Sequence, residues 1–249
     1  MKLEYKQFEF AETLRDMDSV LLPEYDKLVP KNQFLSSSEI GADCAFAGVV
    51  AVCVRMKAYD NNKLEIIQKA YELIRHVMLD IFRDNADCID VICMGRYFVG
   101  IFNTPVKTNI DGLIVTMSKL NAALSVLDIK LHKRFNMRVE GNCGCDYGEL
   151  FRVQTSVNNN KKWSTWHGAA LNMAILYAEK ERQNDVNGTI ISENIRENIK
   201  DVSIGECRIV RLDKVSYLCT MILNFSNYGA RQETIKQQAK VRRGCNRRQ

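Results

Sequence analysis

The chain has 249 residues, of which 46% are hydrophobic and only three are proline, and its formal net charge is +5. This composition excludes a disordered or low-complexity chain and suffices for one sizeable domain with appendages. No apolar run reaches the ~18 residues that cross a bilayer, and the opening MKLEYKQFEF is charged where a secretory signal is apolar, so a cytoplasmic protein off the membrane is expected.

Residues 1–40 are acidic and mixed, interrupted by LLPEYDKLVP and SSS, and read as an arm with room for one short helix. The core begins near Phe46, where FAGVVAVCVRM is a continuous apolar, β-branched run, the mark of a strand covered on both faces. From Lys63 to Phe82, Leu64, Ile67, Ala70, Tyr71, Ile74, Val77, Met78 and Ile81 recur at three- and four-residue spacing, which predicts a helix. CIDVIC and YFVGIF follow as a hairpin turning through Met94, Gly95 and Arg96. A second helix is predicted from about Ile110 to Leu127, then two strands, MRVEGNCGCDYG and ELFRVQT, around Gly148. The polar stretch NNNKKWST reads as a loop leading into a helix from about His167 to Lys180. TIIS, CRIVRL and SYLCTMIL close the chain's ordered pattern as short strands. The order β-α-β-β-α-β with additions predicts an α+β fold of ferredoxin-like type, a mostly antiparallel sheet with helices packed on one face. The expected organisation is an arm (1–40), a core domain (41–225) and a basic tail (226–249).

Nine cysteines are an odd number for a disulfide framework. Cys53, Cys93, Cys207 and Cys219 lie in apolar runs and read as buried reduced thiols. Cys143 and Cys145 share one face of a strand but have no second pair at zinc spacing, so no metal site is expected there. The basic end KQQAKVRRGCNRRQ reads as a solvated terminus, and nucleic acid is not expected as a partner.

Several segments carry a further pattern. Val54-Arg55-Met56-Lys57-Ala58-Tyr59 closes the first strand, Lys69-Ala70-Tyr71 lies in the first helix, and Met94-Gly95-Arg96 forms the hairpin turn. Gly100-Ile101-Phe102-Asn103-Thr104-Pro105, Gly144-Cys145-Asp146-Tyr147-Gly148 and Trp166-His167-Gly168-Ala169-Ala170-Leu171-Asn172-Met173-Ala174 follow. In this order and spacing, over roughly residues 46–195, they resemble class III adenylate/guanylate cyclases. Within that family the likeness is to the bacterial antiphage cyclases that make cyclic pyrimidine nucleotides (Pycsar type). The resemblance implies a cyclase homology domain, whose cleft forms between two chains.

In that family two aspartates, at the end of the first strand and in the hairpin, hold two magnesium or manganese ions. The ions acidify the ribose 3′-hydroxyl for attack on the α-phosphate. The corresponding residues here are Arg55 and Arg96, and a guanidinium has no lone pair to offer a cation. Ala58-Tyr59 replaces the family's Gly-Ser, and Ile92 stands where purine cyclases often read the base with a lysine. Ala169 replaces an acidic residue and Leu176 a basic one, while Asn172 is kept.

The resemblance thus implies a pseudo-cyclase with no intact catalytic residue and no metal cofactor. It would act as a nucleotide-binding or regulatory and dimerisation module in antiphage defence, as a homodimer or as a heterodimer with an active cyclase. The nucleotide-binding candidates are Arg55, Arg96, Asn172, Tyr147 and Trp166. Two guanidiniums ~4 Å apart repel by about 4 kcal/mol at an effective dielectric near 20, so an anion is expected beside them. A nucleotide phosphate and a carboxylate of this or a partner chain both qualify. Trp166 and Tyr147 also read as packing residues, Asn172 as a cap on local backbone, and the lone His167 as structural. The competing reading is an active cyclase turning UTP, CTP or ATP into the cyclic 3′,5′-monophosphate at an atypical site. Asp60, Asp90, Asp146 and Glu149 are then the stand-in carboxylates.

Overall fold

The computed structural model describes residues 15, 30–34, 41–57, 63–157, 161–180, 189–199, 206–211 and 216–222. Its spine is a pair of long strands, β1 (Gly41–Lys57) and β4 (Arg138–Val157), antiparallel from Gly41↔Gln154 to Lys57↔Arg138. On the other side of β1 lies β3 (Tyr97–Asn103), and β2 (Cys88–Met94) pairs with β3, both antiparallel. β5 (Lys161–His167) runs antiparallel to the far end of β4, and β6 (Thr189–Ser192) joins β4 in parallel. β7 (Glu206–Arg211) and β8 (Ser216–Ile222) extend the sheet to the order β2-β3-β1-β4-β6-β8-β7. The helices are α1 (Leu64–Arg83), α2 (Lys107–Phe135), α3 (Ala169–Glu179) and a short α4 (Glu193–Asn198). The α+β class and the mostly antiparallel sheet are as the sequence predicts.

Alternation along β1 divides the core in two. Val50, Val52 and Val54 point toward α1 and α2, packing with Ile74, Met78 and Phe82 and with Leu113, Met117 and Leu120. Ala47, Val49, Ala51 and Cys53 point the other way, against Trp166, Ala170, Ala174 and Ala178. The first two helices therefore cover one face as expected, and α3 adds a cover on the opposite face. Small residues permit its close seat. A Cβ on Gly144 would meet the Ala174 carbonyl oxygen at 2.2 Å and the Ala178 nitrogen at 2.5 Å, so α3 rests its backbone on the sheet there.

α2 runs past its expected end because Leu131 continues the buried stripe of Leu120, Leu124 and Leu127. It stops at Asn136, which adopts the left-handed conformation (φ 51°) and bonds its N–H to the His132 carbonyl at 3.0 Å. By length and composition α2 is apolar enough to cross a membrane, but half of its apolar stretch is buried inside the fold.

Three local expectations are corrected. Gly148 is no turn: it pairs with Ala47 inside the uninterrupted β4, where the long β1 ladder holds the backbone extended. Lys161–His167 is a strand rather than a loop, registered from Val157↔Lys161 to Phe151↔His167. Trp163, Thr165 and Trp166 are aromatic and β-branched residues that suit a pleated strand, a signal masked by the lysines and asparagines around them. Cys93 is exposed, whereas Cys44, Cys53, Cys143 and Cys145 are buried. Within the stretch read as an arm, Lys31 bridges Ala45 in parallel, and Phe34 is buried with its backbone clasped by the Asn103 side chain at 2.9 and 3.0 Å. The rest of that arm except Arg15, the Ala58-Tyr59-Asp60 turn and the basic tail lie outside the described residues.

Candidate functional site

The geometry around Arg55 and Arg96 follows from strand pairing. β1 and β3 are in register at Cys53↔Tyr97, and the Val54 N–H donates to the Arg96 carbonyl at 2.8 Å. The β2–β3 turn needs only Gly95 and Arg96 because Gly95 takes a left-handed φ of 58°. Arg55, two residues beyond Cys53, shares its face and so points toward α3. The C-terminal end of α3 lies directly over this strand end.

Both arginines converge on Glu179, the last residue of α3. Arg55 Nη2 donates to the Glu179 main-chain carbonyl at 2.8 Å. Arg96 Nη2 donates to Glu179 Oε1 at 2.9 Å. Arg96 Nε and Nη2 also donate to the Tyr97 hydroxyl at 3.0 and 2.9 Å, and that hydroxyl donates to Glu179 Oε1. Asn142 Nδ2 meets the next carbonyl, Lys180, at 2.5 Å. The last carbonyls of a helix have no partner within it and carry its negative pole, so a guanidinium and an amide from the sheet are well placed to cap it.

The electrostatics agree with this closed cluster. Hydrogen bonds from Tyr97 and Arg96 hold the Glu179 carboxyl below its usual range. The bond to Glu179 raises the Tyr97 phenol, and the Tyr97 and Glu179 contacts raise the already high Arg96 guanidinium. Cys53 lies beneath, its thiol pushed up by burial against the lowering influence of Arg96 and Arg55. Of the two anions the sequence allowed, the chain supplies a carboxylate of its own.

These residues do not fit the two divalent ions that the resembled family holds. Two guanidiniums supply no lone pair, and the carboxylate joining them is already bonded to Arg96 and Tyr97. Among the described residues no group of three or more His, Cys, Asp or Glu side chains gathers to hold a metal. The stand-in carboxylates are engaged or apart. Asp90 accepts from Trp166 Nε1 at 2.7 Å and from the Val91 N–H at 2.8 Å. Asp146 is buried, its carboxyl pushed up by desolvation, and accepts from the Tyr147 N–H at 2.7 Å. Glu149 is exposed on β4, and Asp60 lies outside the described residues.

The remaining candidates are scattered. Trp166 is buried at the opposite end of α3, perpendicular to Phe34 at 4.9 Å between ring centres. Tyr147 is on the other face of the sheet, stacked on Phe46 at 6.2 Å. Asn172 is exposed in the first turn of α3, and the Asn172 N–H donates to the Gly168 carbonyl at 3.3 Å. Glu179 and Tyr97 were missed by sequence reasoning. The only signal was Glu179's place in the stripe Leu171, Ile175, Glu179, four residues apart on one helix face. That stripe matters, because Leu171 and Ile175 line a groove of about 590 Å³ with Ile92, Met94 and Val99. Asp90 and Trp166 also line it. On helix periodicity, the Arg96–Glu179 pair stands at the hairpin end of this groove.

No protein-family model matches the sequence, and no curated protein matches it. Solved structures do. The chain is similar to the guanylyl cyclase Cya2, with 13% identity over 74% of this chain and 96% of that one and a TM-score of 0.57. It is similar to the adenylyl cyclase CyaB from P. aeruginosa, with 14% identity over 73% and 98% and a TM-score of 0.56. A third is a non-canonical dimeric guanylyl cyclase domain of the RhoGC fusion protein from the aquatic fungus Blastocladiella emersonii, with 11% identity over 70% and 96% and a TM-score of 0.52. The chain therefore has the fold of the adenylyl and guanylyl cyclase domains.

Proposed function

We propose that this chain is a catalytically silent cyclase-like module that works in the cytoplasm as a metal-free nucleotide-binding and dimerisation unit. The reading is supported by the Arg55–Arg96–Glu179 cluster, because the resemblance aligns Arg55 and Arg96 with the two metal-binding aspartates and a guanidinium has no lone pair for a cation. A homodimer is the partner of choice. One structural neighbour is a non-canonical dimeric guanylyl cyclase domain, and here Met94 beside the groove and Leu176 on α3 are large apolar residues left exposed. A role in antiphage defence rests on the resemblance to the Pycsar-type cyclases alone.

The test incubates the purified chain with ATP, GTP, CTP and UTP, with magnesium or manganese, and looks for cyclic mononucleotide by mass spectrometry. No product is expected, and no product on addition of a co-encoded cyclase beyond that enzyme's own is expected for a homodimer. Cyclic product from the chain alone that disappears in Asp90→Asn or Asp146→Asn would replace this proposal with an active enzyme.

A further inference from the structure

The arginine cluster is closed by a residue of its own chain, and we infer that Glu179 is an internal competitor occupying an anion site built from Arg96 and the Tyr97 hydroxyl, with Arg55 beside it. The ligand class is the polyphosphate of a nucleotide, its uncharged part lying along the groove. The inference rests on the metal-free reading above and adds how that site is regulated.

Three observations carry it. First, two donors converge on one carboxylate: the Arg96 guanidinium from the β2–β3 turn and the Tyr97 phenol both bond Glu179 Oε1, and the Arg55 guanidinium sits beside them on the Glu179 main-chain carbonyl. A guanidinium fork suits phosphate as well as carboxylate, so the group that fills the position now is chemically a stand-in for a phosphate. Second, the plug is open to water. The Arg96 and Glu179 side chains are 48% and 37% exposed, against 9% and 16% for the Arg152–Asp43 pair. An ion pair screened to that degree is cheap to exchange for another anion, whereas the buried pair is not. Third, the groove of about 590 Å³, within the size range of small-molecule sites, is walled by Ile92, Val99, Leu171 and Ile175, and Glu179 follows Leu171 and Ile175 at the same four-residue spacing on α3. A bare phosphate needs only Arg96 and the Tyr97 hydroxyl. A ligand with a flat or apolar body gains the groove as well.

Displacing Glu179 need not unfold α3. Its carboxylate is held by Arg96 and Tyr97, while the helix end is held separately, through main-chain carbonyls, by Arg55 and Asn142. The side chain can therefore swing away while the helix stays seated.

The experiment measures binding of inorganic tripolyphosphate, then of the four nucleoside triphosphates, to the full chain by calorimetry in EDTA buffer. The proteins are wild type, Glu179→Gln, Glu179→Asp and the double variant Glu179→Gln/Arg96→Gln, each checked by circular dichroism and melting. Tripolyphosphate should bind Glu179→Gln roughly threefold or more tighter than wild type, the scale of one exposed charge pair. The double variant should lose that gain, and at least one nucleoside triphosphate should bind Glu179→Gln more tightly than tripolyphosphate does. If Glu179→Gln fails to fold, Glu179→Asp, which keeps the charge but withdraws it by one methylene, must move affinity in the same direction. Equal affinity in wild type and the folded variants, or no binding to any, overturns the competitor and leaves the non-catalytic reading standing. Cyclic product in the triphosphate assay strikes the non-catalytic reading instead, and is read out independently of affinity.

Discussion

Gly144→Ala is the substitution that most sharply tests how α3 is seated. The new methyl would lie 2.2 Å from the Ala174 carbonyl oxygen, 2.5 Å from the Ala178 nitrogen and 2.7 Å from Tyr177 Cβ. Two of these atoms are backbone, so no rotamer change relieves the clash, and α3 must lift by roughly 1 Å to reach ordinary contact. Overpacking of this kind costs about 1–3 kcal/mol, and rigid backbone on the far side argues for the upper part of that range. For a chain of this size each kcal/mol is worth about 2–4 °C in melting temperature, so a fall of roughly 5–10 °C is expected. Gly148→Ala is the matched control on the same strand, because its methyl meets only Ala170 Cβ at 3.5 Å, an ordinary contact. Thermal and urea unfolding of both variants, followed by circular dichroism, decides the matter. A Gly144→Ala protein that melts within about 2 °C of wild type would show that α3 does not rest on the sheet at this point. The arrangement of Glu179 over the arginines would then need another explanation.

Two further outcomes follow from the polar contacts. Arg152→Ala should destabilise by about 3 kcal/mol, the lower end for breaking a buried pair, because Asp43 keeps its 3.3 Å contact with Lys31; urea unfolding with an unchanged m-value checks it. Glu179 has a depressed carboxyl pKa in the fold, so its contribution is present above the ordinary glutamate value near 4.5 and is lost as pH falls through the folded value. Melting temperature measured from pH 7 to pH 3 should therefore show a shallower acid limb for Glu179→Gln than for wild type, and parallel curves would contradict the bond.

The proximity of Arg55 and Arg96 was implied by the resemblance, and the structure gives its physical cause in the Cys53↔Tyr97 pairing. One closes an apolar run that can only be a central strand, the other sits in a two-residue turn, and a hairpin packed beside that strand brings the two ends together. Their partner was not legible. Which residue of α3 reaches them depends on how far the helix lies along the sheet, and that is set by Gly144 and the alanine face of β1, contacts between segments over a hundred residues apart in part of their length. Tyr97 was hidden because it reads as one more strand residue, its hydroxyl invisible to an alternation argument. Trp166 and Tyr147 were grouped as aromatic candidates, yet they fall on opposite faces. That separation follows from the continuity of β4 through Gly148 and from β5 being a strand, and both were obscured by residues that usually mark turns.

The single bridge between Lys31 and Ala45 has a consequence for where the folding unit starts. β3 pairs with β1 only from Ala47 onward, so the first part of β1 has β4 on one side and nothing from β3 on the other. Lys31 fills that position, accepting from the Phe46 N–H and donating to the Cys44 carbonyl, both at 2.9 Å. A chain begun at residue 41 would present those backbone groups as an unpaired sheet margin open to strand exchange with another molecule. Lys31 thus covers, at Cys44 and Phe46, the sheet margin that β3 leaves unpaired.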